Sequence, residues 1–497
     1  MNALRLLLGI AALVAGWTLR TSTEPLVASA SRESTTISEQ ALRAHVEYLA
    51  DDARLGRDTG SPGELASARY IASRLKEAGV APGGDVEQEP YLRTVELERM
   101  RVDALPELSL TDVQGERALA VYREDFDVRF NVPTTAPLRV VVVDVKEAEP
   151  LEPDAEVAVV LSGSSGRARR WLEASGAADG AGWGLVVRSG SRPRSSRAPR
   201  LPSSLRRPDR ERTGGNWLRA YDELFERLTA GEIETLQLRA HVTRETVRAV
   251  NVVGMLQGVG TPENPELARE TVVLSAHYDH IGAPGRDEHG HSSEGASETA
   301  AEGEEEDLIY NGADDNASGT AAVIELAAAL AEGPPPVRTV VFLLATGEEK
   351  GLLGTLAYLD DPTVPLADTI FNLNIEMIGR PDPEVGGPGR LWMVGWDETD
   401  LGPALAQRGL AIVADPRPEQ RFFQRSDNIA FVQRGIVGQS LSSYCLHDDY
   451  HRVSDEIDTL DFAHLTAGTK EALRALRLIV DGTLTPAWAA DSRFRPR

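Results

Sequence analysis

The chain has 497 residues, with 52 basic against 77 acidic side chains and a formal net charge of −25 at pH 7. Its length provides for two to four domains with real cores. The negative balance argues against general binding to nucleic acid, whose phosphates demand a positive surface, and weakens any attachment to anionic lipid.

The N-terminal residues 1–30 read as a targeting segment, with Arg5 as a small positive n-region and Leu6 to Trp17 (LLLGIAALVAGW) as the apolar h-region. That run is short of the ~20 residues of a membrane span, and Ala28-Ser29-Ala30 is a cleavage-site pattern, so the expected location is secreted or periplasmic. An uncleaved anchor is the alternative, and the only stable membrane association expected. Ser38 starts a helical pattern with Ile37, Leu42, Val46 and Leu49, and a second helix runs over Ala66 to Ala78. Between about 100 and 245 the character changes. Leu138–Asp144, Val157–Leu161 and Gly182–Val187 read as short strands, with a helix over Arg167–Ala178. Nine arginines lie between Arg188 and Arg212 among Pro and Ser, a composition that reads as a solvated mobile loop.

From Ala249 strands alternate with helices. The predicted strands are Asn251–Met255, Thr271–Ala276, Thr339–Ala345, Phe371–Met377 and Leu391–Val394; the helices are Gly319–Ala331, Leu352–Tyr358, Leu401–Arg408 and Ala463–Leu478. This alternation predicts an α/β domain around a parallel or mixed sheet. The stretch 287–307 carries nine acidic residues among Gly, Ser and Ala and reads as a solvated, flexible acidic loop.

With one cysteine, Cys445, an intrachain disulfide framework and every multi-cysteine metal motif are excluded, so a metal here must be held by His, Asp and Glu. Five short segments concentrate those residue types: AHYDHIG from Ala276, NGADDNASG from Asn311, ATGEEKG from Ala345, NLNIEMIG from Asn372, and HDDYH from His447, followed by Asp455. Three of them begin in or follow a predicted strand, and in open α/β sheets sites form outside the carboxyl ends of strands. Each signal alone is weak, because a loop histidine is usually structural or solvated and an acidic pair is usually surface charge. Glu348-Glu349 directly follow an apolar run, where a solvated pair is less expected. Together the segments point to a carboxylate–histidine metal site, and a two-metal hydrolytic centre needs such a set.

The ordered motifs AHYDHIG, NGADDNASGT, TGEEKGLLGT, NLNIEMIGR, SDNIAF and DYH…SDEID resemble the exported bacterial branch of the di-zinc aminopeptidase family, which also includes glutamate carboxypeptidase, glutaminyl cyclases and the transferrin receptor. The resemblance covers 36–100 and 245–485. It implies a three-layer α/β/α peptidase domain with a central mixed sheet, interrupted at 100–245 by a smaller, mostly β protease-associated-like insert. It implies two zinc ions, with His277 and Glu376 on one, Glu349 and His451 on the other, and Asp315 bridging. Glu348 matches the general base that activates the metal-bridging water, and Asp279 the carboxylate that orients His277. The implied function is removal of N-terminal residues from peptides or protein N-termini. Alternatives are a carboxypeptidase or glutaminyl cyclase on the same fold, and a non-catalytic binding or receptor-like protein. Two departures stand out: many relatives carry Asp where this chain has Glu376, and Ser426-Asp427-Asn428 often reads Ser-Asp-His in relatives.

Among the remaining candidates, His447 competes with His451 as ligand. His280, His289 and His291 read as solvated beside the acidic loop. Cys445 reads as inert, and Ser426 lacks the nucleophile-elbow context. Arg57 reads as the structural partner of a carboxylate, and Tyr278 and Tyr450 as packing or oxyanion donors.

Overall fold

The computed structural model describes residues 37–129, 135–177, 180–190, 203–208, 216–283 and 307–496. The targeting segment, the acidic stretch up to 306 with His289 and His291, and most of the arginine-rich run lie outside the described residues. Among the described residues no helix is long and apolar enough to cross a membrane.

Helix α1, Glu39–Leu49, begins where the Ser38 hydroxyl accepts the Ala41 N–H at 3.0 Å. Helix α2, Pro62–Glu77, is capped in the same way by Ser61. The chain then enters β1, Leu92–Val102, and returns much later on β2, Val242–Leu256, its antiparallel neighbour from Val102↔Val242 to Leu92↔Val252. Next come β3 (Thr271–His277), helix α3 (Gly319–Glu332), β4 (Thr339–Ala345), α4 (Leu353–Asp360), β5 (Thr369–Ile375), β6 (Leu391–Met393), α5 (Leu401–Gln407), β7 (Ile412–Ala414), α6 (Asn428–Gln433), β8 (Val437–Ser442) and α7 (Phe462–Val480).

These strands form one sheet in the order β7-β6-β8-β5-β3-β4-β2-β1, edged by Ser203–Arg206, with Ala81–Pro82 paired to β2. Strands β8, β5, β3 and β4 run parallel and β2 antiparallel to β4, so the sheet is mixed. Its central strands alternate between two cores. Val272, Leu274, Val340, Phe342 and Leu344 face α1, α2, α3 and α7, whereas Val273, Val341 and Leu343 face α4 and α6. Buried on both faces, such strands read as continuous apolar runs, and the three layers follow.

Residues between β1 and β2 build a second, eight-stranded sheet in the order 117–120, 107–112, 233–239, 138–144, 157–162, 185–190, 217–221, 126–129. Its four central strands from 138–144 to 217–221 are parallel, helices Ser165–Ala174 and Asp222–Thr229 pack against it, and it has its own buried clusters.

Two local findings depart from the sequence reading. Part of the arginine-rich run is ordered: Ser203–Arg206 pairs with β1, Arg206 reaches Glu98, and Arg207 Nη2 lies 2.5 Å from Asp360. Strand β8 is absent from the predicted elements because VGQSLS lacks an apolar run, yet every residue in it is buried. Its polar side chains are satisfied internally: Gln439 accepts from Thr399 Oγ1 at 2.9 Å and donates to the Gly395 carbonyl at 3.0 Å.

Candidate metal centre

Strand β3 is the switch point of the sheet, with β4 on one side and β5 on the other, all three parallel. Their carboxyl ends open a crevice between diverging loops. His277 is the last residue of β3, Glu348 and Glu349 follow β4, and Glu376 follows β5 directly. Asp315 lies in the irregular turn Ala313–Ser318 before α3, and His451 in the loop after β8.

The turn bearing Asp315 is held from two sides. The Asp455 carboxylate accepts the N–H groups of Asp314 and Asp315 at 3.0–3.1 Å. Asn316 donates to the Ile375 carbonyl at 2.9 Å and accepts from Met377 N–H at 3.0 Å. Those bonds tie the Asp315 turn to the start of the Glu376 loop and to the His451 loop.

The two oxygens of Asp315 then face different partners. Oδ1 is 3.3 Å from His277 Nε2, which is 3.2 Å from Glu376 Oε1. Oδ2 is 3.2 Å from His451 Nε2, which is 3.2 Å from Glu349 Oε2. Zinc bonds of about 2.0–2.2 Å in a tetrahedron put neighbouring donors about 3.3–3.6 Å apart, so these separations, at the short end of that range, and the donor chemistry fit divalent ions on either side of Asp315. Two groups, His277/Asp315/Glu376 and His280/Asp315/Glu349, keep their donor atoms within 4.8 Å of one another.

The electrostatics show how tightly these groups are bound to each other. Burial pushes the His277 imidazole down, but Glu376, Asp279 and Asp315 outweigh it and hold it well above its usual value. Burial pushes Asp315 up, and hydrogen bonds from His277 and His451 overcome that and hold it well below the usual range. Glu349 is likewise pushed up by burial and by Asp315, yet its contacts with His280 and His451 bring it down to about 2. His451 rises to about 10, because Asp315 and Glu349 outweigh its burial.

Glu348 differs from its neighbour. Burial raises its carboxyl well above the usual range; His277 opposes that shift, and Asp427, Glu376 and Glu349 reinforce it. It stands outside both donor groups. Its backbone N–H donates to Asp279 Oδ1 at 3.1 Å, and Asp279 Oδ2 accepts from Thr59 at 3.0 Å. Asp279 lies 3.7 Å from His277 Nδ1 through its carboxylate but 3.2 Å through its backbone carbonyl. The carboxylate therefore serves the Glu348 turn more closely than the imidazole.

Several other readings change. His280, expected to be solvated, is fully buried, with Nδ1 2.8 Å from Glu349 Oε1. Its signal was its place three residues after His277 at a strand exit, outweighed by the acidic stretch that follows. Among the described residues Arg57 hydrogen-bonds no carboxylate. It is fully buried and donates to the carbonyls of Leu49, Tyr278, Asn311 and Gly312 at 2.6–3.0 Å. His447 turns to Asp314 Oδ2 at 3.2 Å, away from both groups. The Tyr278 hydroxyl points to Glu64 at 2.7 Å, whereas Tyr450 stacks on the His451 ring at 3.9 Å. Ser426 donates to Glu376 Oε2 at 2.6 Å, a role that no sequence motif announced.

The family model described as Peptidase family M28 matches residues 251–475, the span that carries every candidate ligand. Among solved structures, the chain is similar to an aminopeptidase from Aneurinibacillus sp. strain AM-1, at 16% identity and a TM-score of 0.57 over 93% of this chain and 97% of that one. It is also similar to a zinc aminopeptidase from Bacillus subtilis, at 17% identity and a TM-score of 0.51 over 90% of this chain and 96% of that one. At these identities the likeness concerns the fold. No curated protein matches the chain.

Within the matched span the candidate ligands line a cleft of about 550 Å³. Met377, Trp392, Val394, Phe422, Tyr444 and Tyr450 contribute its apolar wall, and Arg425 also lines it. The cleft thus joins a polar side to an aromatic side, the usual make-up of a small-molecule or side-chain site.

Proposed function

We propose that the chain is an exported zinc aminopeptidase with two ions per chain. The observation that carries the reading is Asp315, whose two oxygens each face one His–Glu pair across a cleft. His277, Asp315 and Glu376 would hold one ion, and Asp315, Glu349 and His451 the other. When bound, the ions supply Lewis acidity toward the scissile carbonyl and make water acidic enough to attack near neutral pH.

The chain's own groups do the rest. Glu348, beside the ligands but not among them, takes the proton of the attacking water and returns it to the leaving amine. Asp279 holds the Glu348 backbone, so the carboxyl is aimed without being tied down. The apolar wall receives the side chain of the first residue, which supports a preference for bulky apolar N-termini. The two similar solved structures are aminopeptidases, which supports attack at a free N-terminus. Export rests on the apolar segment Leu6–Trp17, and cell fractionation with N-terminal sequencing tests it.

The deciding experiment measures metal content and substrate range on one sample. The expected result is two zinc per chain, with turnover of leucyl and phenylalanyl substrates that stops when the N-terminus is acetylated. Turnover of N-blocked peptides that requires a free C-terminus would make the enzyme a carboxypeptidase. Release of pyroglutamyl products from glutaminyl peptides would make it a cyclase, and absence of bound metal would sink all three readings.

A further inference from the structure

We propose that His280 is a positioning residue that fixes Glu349 for the second ion, and is not itself a ligand. This rests on the two-metal reading above. His280 belongs to one of the two groups of potential metal donors, so its role is open on composition alone. Geometry separates the two roles.

The four contacts between donors proposed as ligands span 3.2–3.3 Å. His280 Nδ1 is only 2.8 Å from Glu349 Oε1, a hydrogen-bond distance, and 3.9 Å from Asp315 Oδ2. It also meets the wrong oxygen for a shared ion: His451 faces Oε2 of Glu349, and His280 faces Oε1.

The tautomer follows by elimination. A bare Nδ1 would set a lone pair against a carboxylate oxygen at 2.8 Å, so Nδ1 carries the proton and donates it. His280 Nε2 is buried and has no hydrogen-bond partner among the described residues. With the proton on Nδ1, the atom left unpartnered in the neutral ring is an acceptor, not a donor.

The ring is also locked. The His280 backbone N–H bonds to the Arg57 carbonyl at 3.3 Å, and a Cβ on Gly312 would lie 2.5 Å from His280 Cδ2. The opposite half of the site repeats the logic. Ser426 donates to Oε2 of Glu376 at 2.6 Å, leaving Oε1 toward His277. Each terminal glutamate therefore has one oxygen pinned by a donor outside the proposed ligand set and the other presented to the ion, the outer-shell device by which proteins orient metal-binding carboxylates.

Metal affinities of the apo protein, measured by competition with a chromophoric zinc chelator, test this in wild type, His280→Leu and His280→Asn. Thermal melts of the apo forms check folding. In the Leu variant one of the two affinities should fall about 10- to 100-fold and the other stay unchanged. The Asn variant, whose amide N–H can replace the lost donor, should recover most of that loss. The cobalt-substituted Asn variant should keep the wild-type visible absorption spectrum, because no nitrogen ligand is removed.

Unchanged affinities at both sites in His280→Leu would overturn the proposal. So would an Asn variant as weak as Leu, and a changed cobalt spectrum would then make His280 a ligand. If the Leu variant does not fold, the Asn variant decides alone: wild-type affinities and spectrum support the positioning role, and a tenfold loss refutes it. Wild-type protein that binds no metal in the same titration would defeat the metal reading instead.

Discussion

Glu348 and Glu349 are adjacent in the chain and in opposite electrostatic states. Burial raises the first carboxyl, while two histidines draw the second down to about 2. A group that must accept and return a proton is served by the first state, and a permanent ligand by the second. Glu348→Gln should therefore reduce kcat about 10²- to 10⁴-fold with zinc content unchanged; full turnover by that variant would remove Glu348 from the mechanism. A second buried glutamate, hydrogen-bonded to the residue after His277, behaves in a comparable way. Burial raises Glu64 to about 7. Its Oε1 contacts the Tyr278 hydroxyl at 2.7 Å and Val250 N–H at 3.2 Å, and the same hydroxyl also contacts the Val250 carbonyl. One phenolic proton cannot serve both acceptors, and a protonated Glu64 resolves the conflict by donating to Tyr278. Below pH 4.5 this carboxyl is protonated folded and unfolded, so it has no effect on stability. As pH rises from 4.5 to about 7 only the unfolded chain releases the proton, and stability falls. The loss should total on the order of 3 kcal/mol and be absent in Glu64→Gln. Denaturant melts of both proteins from pH 4.5 to 8 check it, and parallel profiles would refute it.

At the scale of elements, the site depends on how closely α3 approaches the end of β5. A Cβ at Gly319 would lie 2.3 Å from Asn316 Oδ1 and 2.6 Å from the Ile375 carbonyl. Gly319→Ala should cost about 1–3 kcal/mol through overpacking, although alanine is the better helix former, and should weaken zinc binding by shifting the Asp315 turn. A melt as stable as wild type would show that the turn tolerates the displacement. The same scale explains which elements could be read from the chain. Strands β3 and β4 each carry an apolar run because both faces are covered, so they stood out. Strand β8 is buried as deeply but uses Gln and Ser, whose partners come from remote loops, so no local pattern marked it. The antiparallel pair β1 and β2 was legible only at its Asn251–Met255 end, since residues 243–246 of β2 are exposed.

For the whole molecule, the proposed ligands come from five separated stretches of chain, which the unfolded state does not hold together. Ions that bind the folded form alone stabilise it by mass action, by about 4 kcal/mol at a thousandfold excess over Kd. Chelation should therefore lower Tm as well as abolish turnover, and restoring zinc should reverse both; an unchanged Tm would mean that the ligands are not assembled by folding in this way. The second sheet is connected through β1 and β2, where Asp103 N–H bonds the His241 carbonyl at 2.9 Å. The chain thus leaves and re-enters the first sheet between neighbouring strands, without breaking the run from β3 to β8 that carries the ligands.

Sequence by itself determined the kinds of ligand available, their order, and their attachment to strand ends, because apolar runs and the residues that follow them are local properties. Tertiary structure alone decided which of several identical residue types meet. His280 turns into the site and His447 turns to Asp314, Ser426 pins Glu376, and Arg57 spends its donors on four carbonyls. The reason is physical: a side chain's partners depend on where loops distant in the chain are brought by the packed sheet, and nothing in the spacing of a single segment records that path.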